Sequence, residues 1–304
     1  MIRPLHHALR LGLLLALALG LRANSLVQFR TSVGDVEVEL LDQEKPATVA
    51  NFRQYVDAGA YRDSFFHRAV HNFVLQGGGF RISNRATTSV ESIPTFPPVT
   101  NEFTIGPRRS NVAGTLAMAK TANPNSATSQ FFFNLVDNSA SLDNTNNSGG
   151  FTVFGLVRGD TNILASLNLF KSGPLTVTTR TTNANNVVVT NISPATNVIV
   201  NAGGVFAELP LLRFQTNAAG FIHSDALVYV DITFLGVAVK TTSSGGHAVS
   251  WDAAPGGTNW VEFTTVFPPA WQTLTHQVRP PAGRVTVEDP TPDPHRFYRV
   301  RVDY

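Results

Sequence analysis

The stretch of the chain with the most potential chemistry is residues 66–80, which read FHRAVHNFVLQGGGF. Arg68 is a charged hydrogen-bond donor, Gln76 offers both donors and an acceptor, and both stand among apolar residues. The turn-like pair His71 and Asn72 separates two short apolar runs, which predicts two short strands joined by a turn. Taken alone, Arg68 fits an exposed surface charge as well as a donor placed in an apolar groove.

Further motifs downstream decide between these two interpretations of Arg68. The chain carries F-H-R at 66–68, Q-G-G at 76–78, M-A at 118–119, S-Q-F-F at 129–132 and V-F-G at 153–155. Each block is weak by itself, but together they occur in the order and at the approximate spacing of cyclophilin-type peptidyl-prolyl isomerases. The chain resembles that family over about residues 26–236, with one poorly matching insertion.

The resemblance implies catalysis of rotation about X-Pro peptide bonds. Twisting the bond costs about 18–20 kcal/mol because the amide loses its resonance, and the catalyst must bind the twisted state more tightly than either planar state. No bond of the chain is broken, so we expect neither a metal nor a cofactor. As the amide twists, the prolyl nitrogen regains its lone pair, and a guanidinium can donate to it. By its place in F-H-R, Arg68 matches the family's catalytic arginine.

The remaining site residues are expected from the same match by position. Gln76 matches the glutamine that hydrogen-bonds the substrate backbone, and we group it with Arg68 as catalytic. The residues expected to bind substrate, along the proline pocket and its groove, are Phe73, Val74, Ala119, Gln130, Phe132, Leu142 and Phe151. Alternation along a strand favours Phe131 and Phe133 as core residues and Phe132 as the pocket residue, although Phe132 also fits a core position.

The chain departs from many eukaryotic members of the family at two positions. Ser141 stands where they carry Trp before the Leu-Asp pair, and Phe151 replaces their His, as in bacterial relatives. The loop over 143–151 is longer and rich in Asn and Gly. We therefore expect weak ciclosporin binding and no role for a histidine.

Other catalytic chemistry has little support in the sequence. His67 and His71 are four apart but lack the helix and Glu of a zinc site. The run 223–225, His-Ser-Asp, has no nucleophile elbow. The glycines at 77–79 have no phosphate-loop Lys and fit a tight turn.

Composition indicates a folded, sparsely charged protein, with 43% hydrophobic and 14% charged residues over 304 positions. The net charge of +2 includes Arg3, Arg10 and Arg22. Without these three, 20 of the 23 basic side chains remain, against 21 acidic side chains. Because basic and acidic side chains are nearly equal in number, the charge does not favour nucleic-acid binding.

The first 23 residues predict a secretory signal peptide. Arg3 and Arg10 give a positive start, residues 11–21 an apolar run, and Ala23 a small residue for cleavage. The apolar run is too short to cross about 30 Å of hydrocarbon; an uncleaved membrane anchor is the alternative. We expect export to the periplasm or the extracellular space, with no stable membrane span after processing. There is no Cys, which excludes disulfides and lipid attachment through cysteine.

The pattern of the first half predicts strands over 26–30 and 33–41, a helix over 47–58 after Pro46, and a short helix over 161–170. Residues 227–234 are expected to form the closing strand of the family's fold.

The second half contains the insertion and a change of composition. Residues 171–204 form the Thr/Asn/Val-rich insertion, in which 187–189 and 198–200 could pair as a hairpin or belong to a loose loop. Residues 241–247 predict a flexible Ser/Gly linker. The three Trp lie beyond it, and we expect at least two of them in the core of a small β module.

Together these patterns predict a mainly β protein: a closed eight-stranded barrel capped by two helices, plus a small C-terminal β module. The predicted domains are a signal peptide (1–23), an isomerase domain (24–240), and the linker with its module (241–304). The predicted function is isomerisation of X-Pro bonds in exported proteins, which assists folding, with proline-containing polypeptides as substrates. The alternative is a proline-binding module or surface protein without significant turnover. The sequence names no partner for the C-terminal module.

Overall fold

The structure is a computed structural model of the chain. It describes residues 24–158, 162–172, 176–182, 188–194, 196–214, 216, 222–253, 258–266, 269–278, 280, 283–291 and 295–303. The predicted signal segment lies outside these ranges. Within them, no helix is long and apolar enough to cross a membrane.

The described residues contain three α-helices and 22 strands. The helices are α1 (Pro46–Asp57), α2 (Ser139–Leu142) and α3 (Asn162–Leu167). The strands up to the insertion are β1 (Leu26–Thr31), β2 (Gly34–Leu40), β3 (Ser64–Phe65), β4 (Arg68–Ala69), β5 (Val74–Gly77), β6 (Phe80–Asn84), β7 (Ser89–Ser92), β8 (Thr115–Met118), β9 (Phe131–Asn134) and β10 (Val153–Arg158). The insertion and the strand after it give β11 (Lys171–Ser172), β12 (Thr176–Thr182), β13 (Val188–Pro194), β14 (Thr196–Val200), β15 (Leu209–Arg213) and β16 (Tyr229–Phe234). The C-terminal strands are β17 (Val237–Thr241), β18 (His247–Ala253), β19 (Thr258–Thr264), β20 (Gln272–Val278), β21 (Gly283–Asp289) and β22 (Phe297–Asp303).

The main sheet has the strand order β4-β5-β9-β8-β10-β2-β1-β16-β3-β6-β7. Although β3 and β4 occupy different places in this order, only Phe66 and His67 separate them in the chain. The backbone N–H of Phe66 donates to the carbonyl of Val228 at 2.9 Å, and that of His67 to the carbonyl of Gln76 at 3.1 Å. The short segment is therefore bonded on the β16 side and on the β5 side.

The predicted elements of the first half are confirmed. β1 and β2 form the expected antiparallel hairpin, and Val36, Val38 and Leu40 are all buried on β2. Helix α1 begins at Pro46, whose fixed φ suits the first helical position. The short helix predicted within 161–170 is α3.

An aromatic core lies between α1 and the sheet. Phe29 has its ring centroid 5.4 Å from that of Phe131 and 5.0 Å from that of Phe133, and Phe52 of α1 packs on Phe131 at 6.0 Å. Phe132 belongs to a different apolar cluster, together with Val74 and other groove residues. The expected alternation along β9 is confirmed, because neighbouring side chains of a strand point to opposite faces.

The predicted pairing of 187–189 with 198–200 is wrong. β13 pairs with β12, whereas β14 pairs with β15 and, in parallel, with β11; residue 187 lies outside the described residues. β14 and β15 bury Val198, Val200, Leu209 and Leu211 in one cluster with Phe65. The apolar partner of β14 is therefore β15, which follows the insertion in the chain. Because β14 is paired in a sheet, it does not belong to a loose loop either.

The last six strands form two three-stranded sheets, β17-β18-β21 and β20-β19-β22. Val249, Trp251 and Val261 are buried together at their centre. Trp260 and Trp271 are half-buried, so the expectation of at least two Trp in the core is wrong.

The segment predicted to be a flexible linker forms a tight turn. β17 pairs with β18, and the N–H of Thr242 donates to the carbonyl of Gly246 at 2.8 Å. Ser and Gly suit a turn as well as a linker, and composition alone does not separate the two. The first C-terminal strand starts at Val237, before the predicted boundary at Lys240.

Candidate active site

One cavity of about 400 Å³ collects all the residues that the sequence singled out. Those residues are Arg68, Gln76, Phe73, Val74, Ala119, Gln130, Phe132, Leu142 and Phe151. Its lining also contains residues that the sequence analysis did not select: Lys120, Thr121, Ser126 and Thr128. These four lie on a polar loop without a recognisable motif, and only their position after the M-A block could have indicated them.

The sheet positions the central side chains in one row. Arg68 of β4 stands opposite Gln76 of β5, and Gln76 stands opposite Phe132 of β9. The row continues from Phe132 to Ala117 of β8 and from Ala117 to Val153 of β10. Residues directly opposite each other share a face of the sheet, so the guanidinium, the amide and the apolar floor border the same groove.

The hairpin at the start of this row is short and tightly closed. Arg68 and Gln76 lie on its two arms, and the N–H of Val70 donates to the carbonyl of Val74 at 2.9 Å. Asn72 in the turn has φ of 54°, a left-handed conformation that Asn tolerates better than most residues. The two strands and the turn predicted around 71–72 are confirmed.

A pair of amides forms the polar edge of the cavity. The Nε2 of Gln76 donates to the Oε1 of Gln130 at 2.7 Å, and Gln130 also hydrogen-bonds His67. The first bond orients the Gln76 amide and leaves its Oε1 and its second N–H for another partner.

His67 is buried beside this pair and adjoins Arg68 in sequence. Burial lowers the pKa of its imidazole from 6.5 to about 4, against the opposing effect of the Gln130 hydrogen bond, and the Arg68 charge lowers the pKa further. The ring is therefore neutral near pH 7.

Apolar side chains form a pocket at the other end of the row. Phe132, Val74 and Leu142 are buried in one cluster with the half-buried Phe73 and Phe151. The ring of Phe151 lies edge-on to that of Phe132, with centroids 5.9 Å apart.

Lys120 packs on the ring of Phe151 in this pocket. Its Nζ lies 4.0 Å from the centroid of the Phe151 ring and donates to the carbonyl of Ser148. Burial lowers the pKa of Lys120 below its ordinary value of 10.5. The cation–π contact fixes the ring of Phe151 at the pocket mouth.

A buried polar network holds the backbone of the pocket residues. Asn138 Nδ2 donates to the carbonyl of Phe73 at 2.9 Å. Asn111 Nδ2 donates to Asp143 Oδ1 at 2.8 Å and to the carbonyl of Phe151 at 2.9 Å. These bonds fix the backbone of two pocket residues. Asn111 and Asn138 carry no motif that selects them in the sequence, and Asp143 was noted only as part of the Leu-Asp pair.

Glu208 approaches the cavity from the far side of Arg68. Its Oε2 lies 2.6 Å from the Nε of Arg68, and its backbone carbonyl accepts from the N–H of Ala69 at 2.8 Å. Glu208 was not predicted from the sequence, because no motif surrounds it and it is remote from Arg68 in the chain.

The alternative sites considered in the sequence take other roles. Ser224 Oγ donates to the carbonyl of Arg85 at 2.9 Å, and His223 caps the short 3-10 turn Ser224–Ala226. His71 Nδ1 contacts the carbonyl of Asn168 at 2.7 Å. In the part of the chain that the structure describes, no group of three or more His, Asp or Glu side chains is placed to hold a metal ion.

The arrangement combines an apolar pocket, sized for a small ring, with a cation and an amide along one edge. Such a site can bury an apolar side chain while it donates hydrogen bonds to the neighbouring backbone. A guanidinium supplies rigid, charge-assisted donors for such bonds.

Comparison with known proteins is consistent with this geometry. The family model "Cyclophilin type peptidyl-prolyl cis-trans isomerase/CLD" matches residues 26–193, more than half of the chain. A peptidyl-prolyl cis-trans isomerase of Acinetobacter baylyi is 42% identical over 135 residues, 44% of this chain and 67% of that protein. One of Streptomyces antibioticus is 40% identical over 152 residues, 49% of this chain and 86% of that protein. Among solved structures, a cyclophilin type isomerase of Cryptosporidium parvum has a TM-score of 0.41 at 18% identity, over 69% of this chain and 97% of that chain.

Proposed function

The chain belongs to the cyclophilin type peptidyl-prolyl cis-trans isomerase family, and we propose that it isomerises X-Pro bonds of exported proteins with Arg68 as the catalytic donor. The isomerase activity itself follows from family membership and from relatives that are named for it. The observation that carries our assignment is the cross-strand row of Arg68, Gln76 and Phe132 at the edge of one apolar pocket.

The pocket formed by Phe73, Val74, Phe132, Leu142 and Phe151 holds the proline ring of the substrate. Burial of a side chain of this size contributes about 2 kcal/mol, and it fixes one side of the bond that must rotate. The proline ring is the same in both planar isomers, which differ in free energy by only about 0.5–1 kcal/mol, so a pocket that holds only the ring can bind either isomer.

Arg68 acts on the nitrogen of the fixed ring. In the planar amide the lone pair of that nitrogen is delocalised, and it becomes an acceptor only as the bond twists. A guanidinium that donates to it therefore stabilises the twisted state more than either planar state, which is the requirement for catalysis.

Gln76 holds the backbone of the substrate beside the ring. Its amide is oriented by Gln130, and its free donor and acceptor match the N–H and carbonyl of an extended peptide. Ala119 lines the same groove and leaves room for that backbone because its side chain is small.

We also propose that the main sheet closes into the eight-stranded barrel of this family. The support is the segment 64–69, whose first half pairs with β16 and whose second half pairs with β5. A strand shared in this way joins the two sides of the sheet, in the order β3/β4, β5, β9, β8, β10, β2, β1 and β16.

We propose exported proteins as the substrates because we propose that the chain itself is exported, to the periplasm or the extracellular space. Residues 1–23 carry the positive start, the apolar run and the small residue of a signal peptide. We propose that residues 24–236 form the isomerase domain and that residues 237–304 form a separate β-rich module, which moves the boundary predicted at Lys240 to the start of β17. The proline-binding alternative without turnover is disfavoured because Arg68 and Gln76 are both present and border one pocket.

A protease-free isomerisation assay on a short X-Pro peptide tests the assignment. The wild-type chain, Arg68→Ala and the control Arg62→Ala are compared, since Arg62 is an exposed arginine near the same segment. Loss of turnover in Arg68→Ala alone supports the proposal, and equal turnover in all three refutes it.

A further inference from the structure

Glu208 contacts the proposed catalytic arginine from outside the cavity. The carboxylate Oε2 and the guanidinium Nε form an ion pair at 2.6 Å. The backbone of Glu208 is anchored separately, because its carbonyl accepts from the N–H of Ala69 at 2.8 Å. The carboxylate is thus held next to Arg68 by the fold, and not only by the attraction of the two charges.

The element that carries Glu208 is itself fixed. Glu208 lies just before β15, where Leu209 and Leu211 are buried against Phe65 of β3. It also lies beyond residues 26–193, the part of the chain that matches the family model. The contact with Arg68 is therefore made by a part of this chain that the family model does not cover.

The contact restrains a side chain that is otherwise mobile. Arg68 is 35% exposed, and a free arginine side chain samples many rotamers. The Glu208 carboxylate lies at the Nε side of the guanidinium, so it restrains the position of the group and leaves the donors of both Nη groups for a substrate. A donor that is already in place at the prolyl nitrogen requires no reorganisation during the reaction.

We propose that Glu208 is a positioning residue that holds the guanidinium of Arg68 in the orientation used for catalysis. The inference rests on the catalytic role proposed for Arg68. The same geometry predicts little effect on folding, because ion pairs with exposed partners contribute little to stability. Substitution of the side chain also leaves the backbone bond to Ala69 in place.

The chain offers a matched control for the ion pair. Arg81 Nε and Glu91 Oε1 also lie 2.6 Å apart, with 33% and 43% of the two side chains exposed. For Arg68 and Glu208, the exposed fractions of the two side chains are 35% and 39%. The Arg81–Glu91 pair joins β6 and β7, where Arg81 Nε donates a hydrogen bond to Glu91 Oε1, and it does not line the cavity. Glu91→Ala therefore removes an ion pair of the same length and similar exposure at another place.

The experiment measures kcat and KM separately on a short X-Pro peptide for Glu208→Ala, Glu208→Gln and Glu91→Ala. We expect Glu208→Ala to lower kcat about fivefold to tenfold with KM within about twofold, the pattern of an interaction used in the transition state. Glu208→Gln keeps an oxygen beside Nε, so its kcat should fall less than that of Glu208→Ala. Glu91→Ala should match the wild type, and all variants should melt close to it.

A double-mutant cycle separates positioning from a structural effect. Glu208→Ala is repeated in the Arg68→Ala background, where coupled residues show non-additive losses. We expect less than about a twofold further change in kcat/KM there. An unchanged or increased kcat in Glu208→Ala overturns the inference, and so does an equal loss in both backgrounds. If Arg68→Ala itself keeps full activity, the role of Arg68 is refuted instead.

Discussion

Arg68 and Gln76 are cross-strand partners in the β4–β5 hairpin, with their Cα atoms directly opposite. This pairing puts a permanent cation and an oriented amide on the same face of the sheet, beside the apolar pocket at Phe132. The hairpin register therefore decides where the donors stand. A shift by one residue would turn both side chains away from the groove.

The first prediction concerns Arg68. Replacement by Ala should lower kcat/KM by at least about tenfold, or about 1.4 kcal/mol of transition-state stabilisation. The reason is the loss of the donor to the prolyl nitrogen. Isomerisation of an X-Pro peptide, followed by exchange NMR, measures the change. Arg62→Ala is the control, and near-wild-type turnover in folded Arg68→Ala would falsify the mechanism.

The second prediction contrasts two adjacent phenylalanines of β9. Phe132→Ala opens the proline pocket, so KM should rise severalfold on a short peptide. Phe133→Ala removes a fully buried core ring and should lower the free energy of unfolding by about 3–5 kcal/mol. Urea unfolding and peptide kinetics on both variants distinguish the two effects. A Phe132→Ala variant that binds peptide normally contradicts the pocket assignment.

Strand alternation explains why the sequence could predict this contrast. Neighbouring residues of a strand point to opposite faces, so the roles of Phe131, Phe132 and Phe133 follow from the local pattern. The family match that rests on the five motif blocks similarly predicted nine of the residues that line the cavity, because the family's order places the blocks side by side. The other four lining residues lie on a polar loop without a motif and were not predicted.

Non-local contacts explain what the sequence could not predict. The apolar run 198–200 pairs with β15 and with β11, and a run of Val and Ile carries no information about which strands it will pair with. Glu208 is an isolated acid without a local motif, and only the packing of β15 brings it to Arg68. The Ser/Gly segment at 241–247 has the same composition whether it is a linker or a turn.

The third prediction is a pH dependence of stability that originates from His67. The buried imidazole has its pKa lowered to about 4 from 6.5, so between these values the unfolded chain binds a proton that the folded chain does not. Stability should therefore fall as the pH drops from 6.5 to 4, by up to about 3 kcal/mol from this residue. Above pH 6.5 the contribution is fully present.

Urea unfolding of the wild type and of His67→Gln at several pH values isolates this contribution. Other titrating groups affect both proteins alike, so the difference between their slopes reports on His67. Identical slopes between pH 4 and 6.5 would show that the folded imidazole titrates normally.

The fourth prediction concerns ciclosporin. Ser141 is exposed on α2 next to the pocket residue Leu142, and its short side chain cannot supply the indole surface and N–H of family members with Trp at this place. We expect weak inhibition of the wild type and tighter inhibition of Ser141→Trp, measured as inhibition constants in the peptide assay. Nanomolar inhibition of the unmodified chain contradicts the argument.

The last prediction tests whether the C-terminal strands are needed for the reaction. The cavity is lined by residues between Arg68 and Phe151, and the last strand of the main sheet, β16, ends at Phe234. Truncation after Gly236 removes β17 to β22 as a unit, and the shortened chain should keep kcat/KM on a short peptide within about threefold.

Truncation after Lys240 is the informative comparison, because it leaves most of β17 without its partner β18 and exposes Val237 and Val239 further. That version should aggregate more readily at the same intrinsic activity. If the Gly236 truncation loses turnover while circular dichroism shows a folded chain, the C-terminal strands contribute to the groove and the division into two parts is wrong.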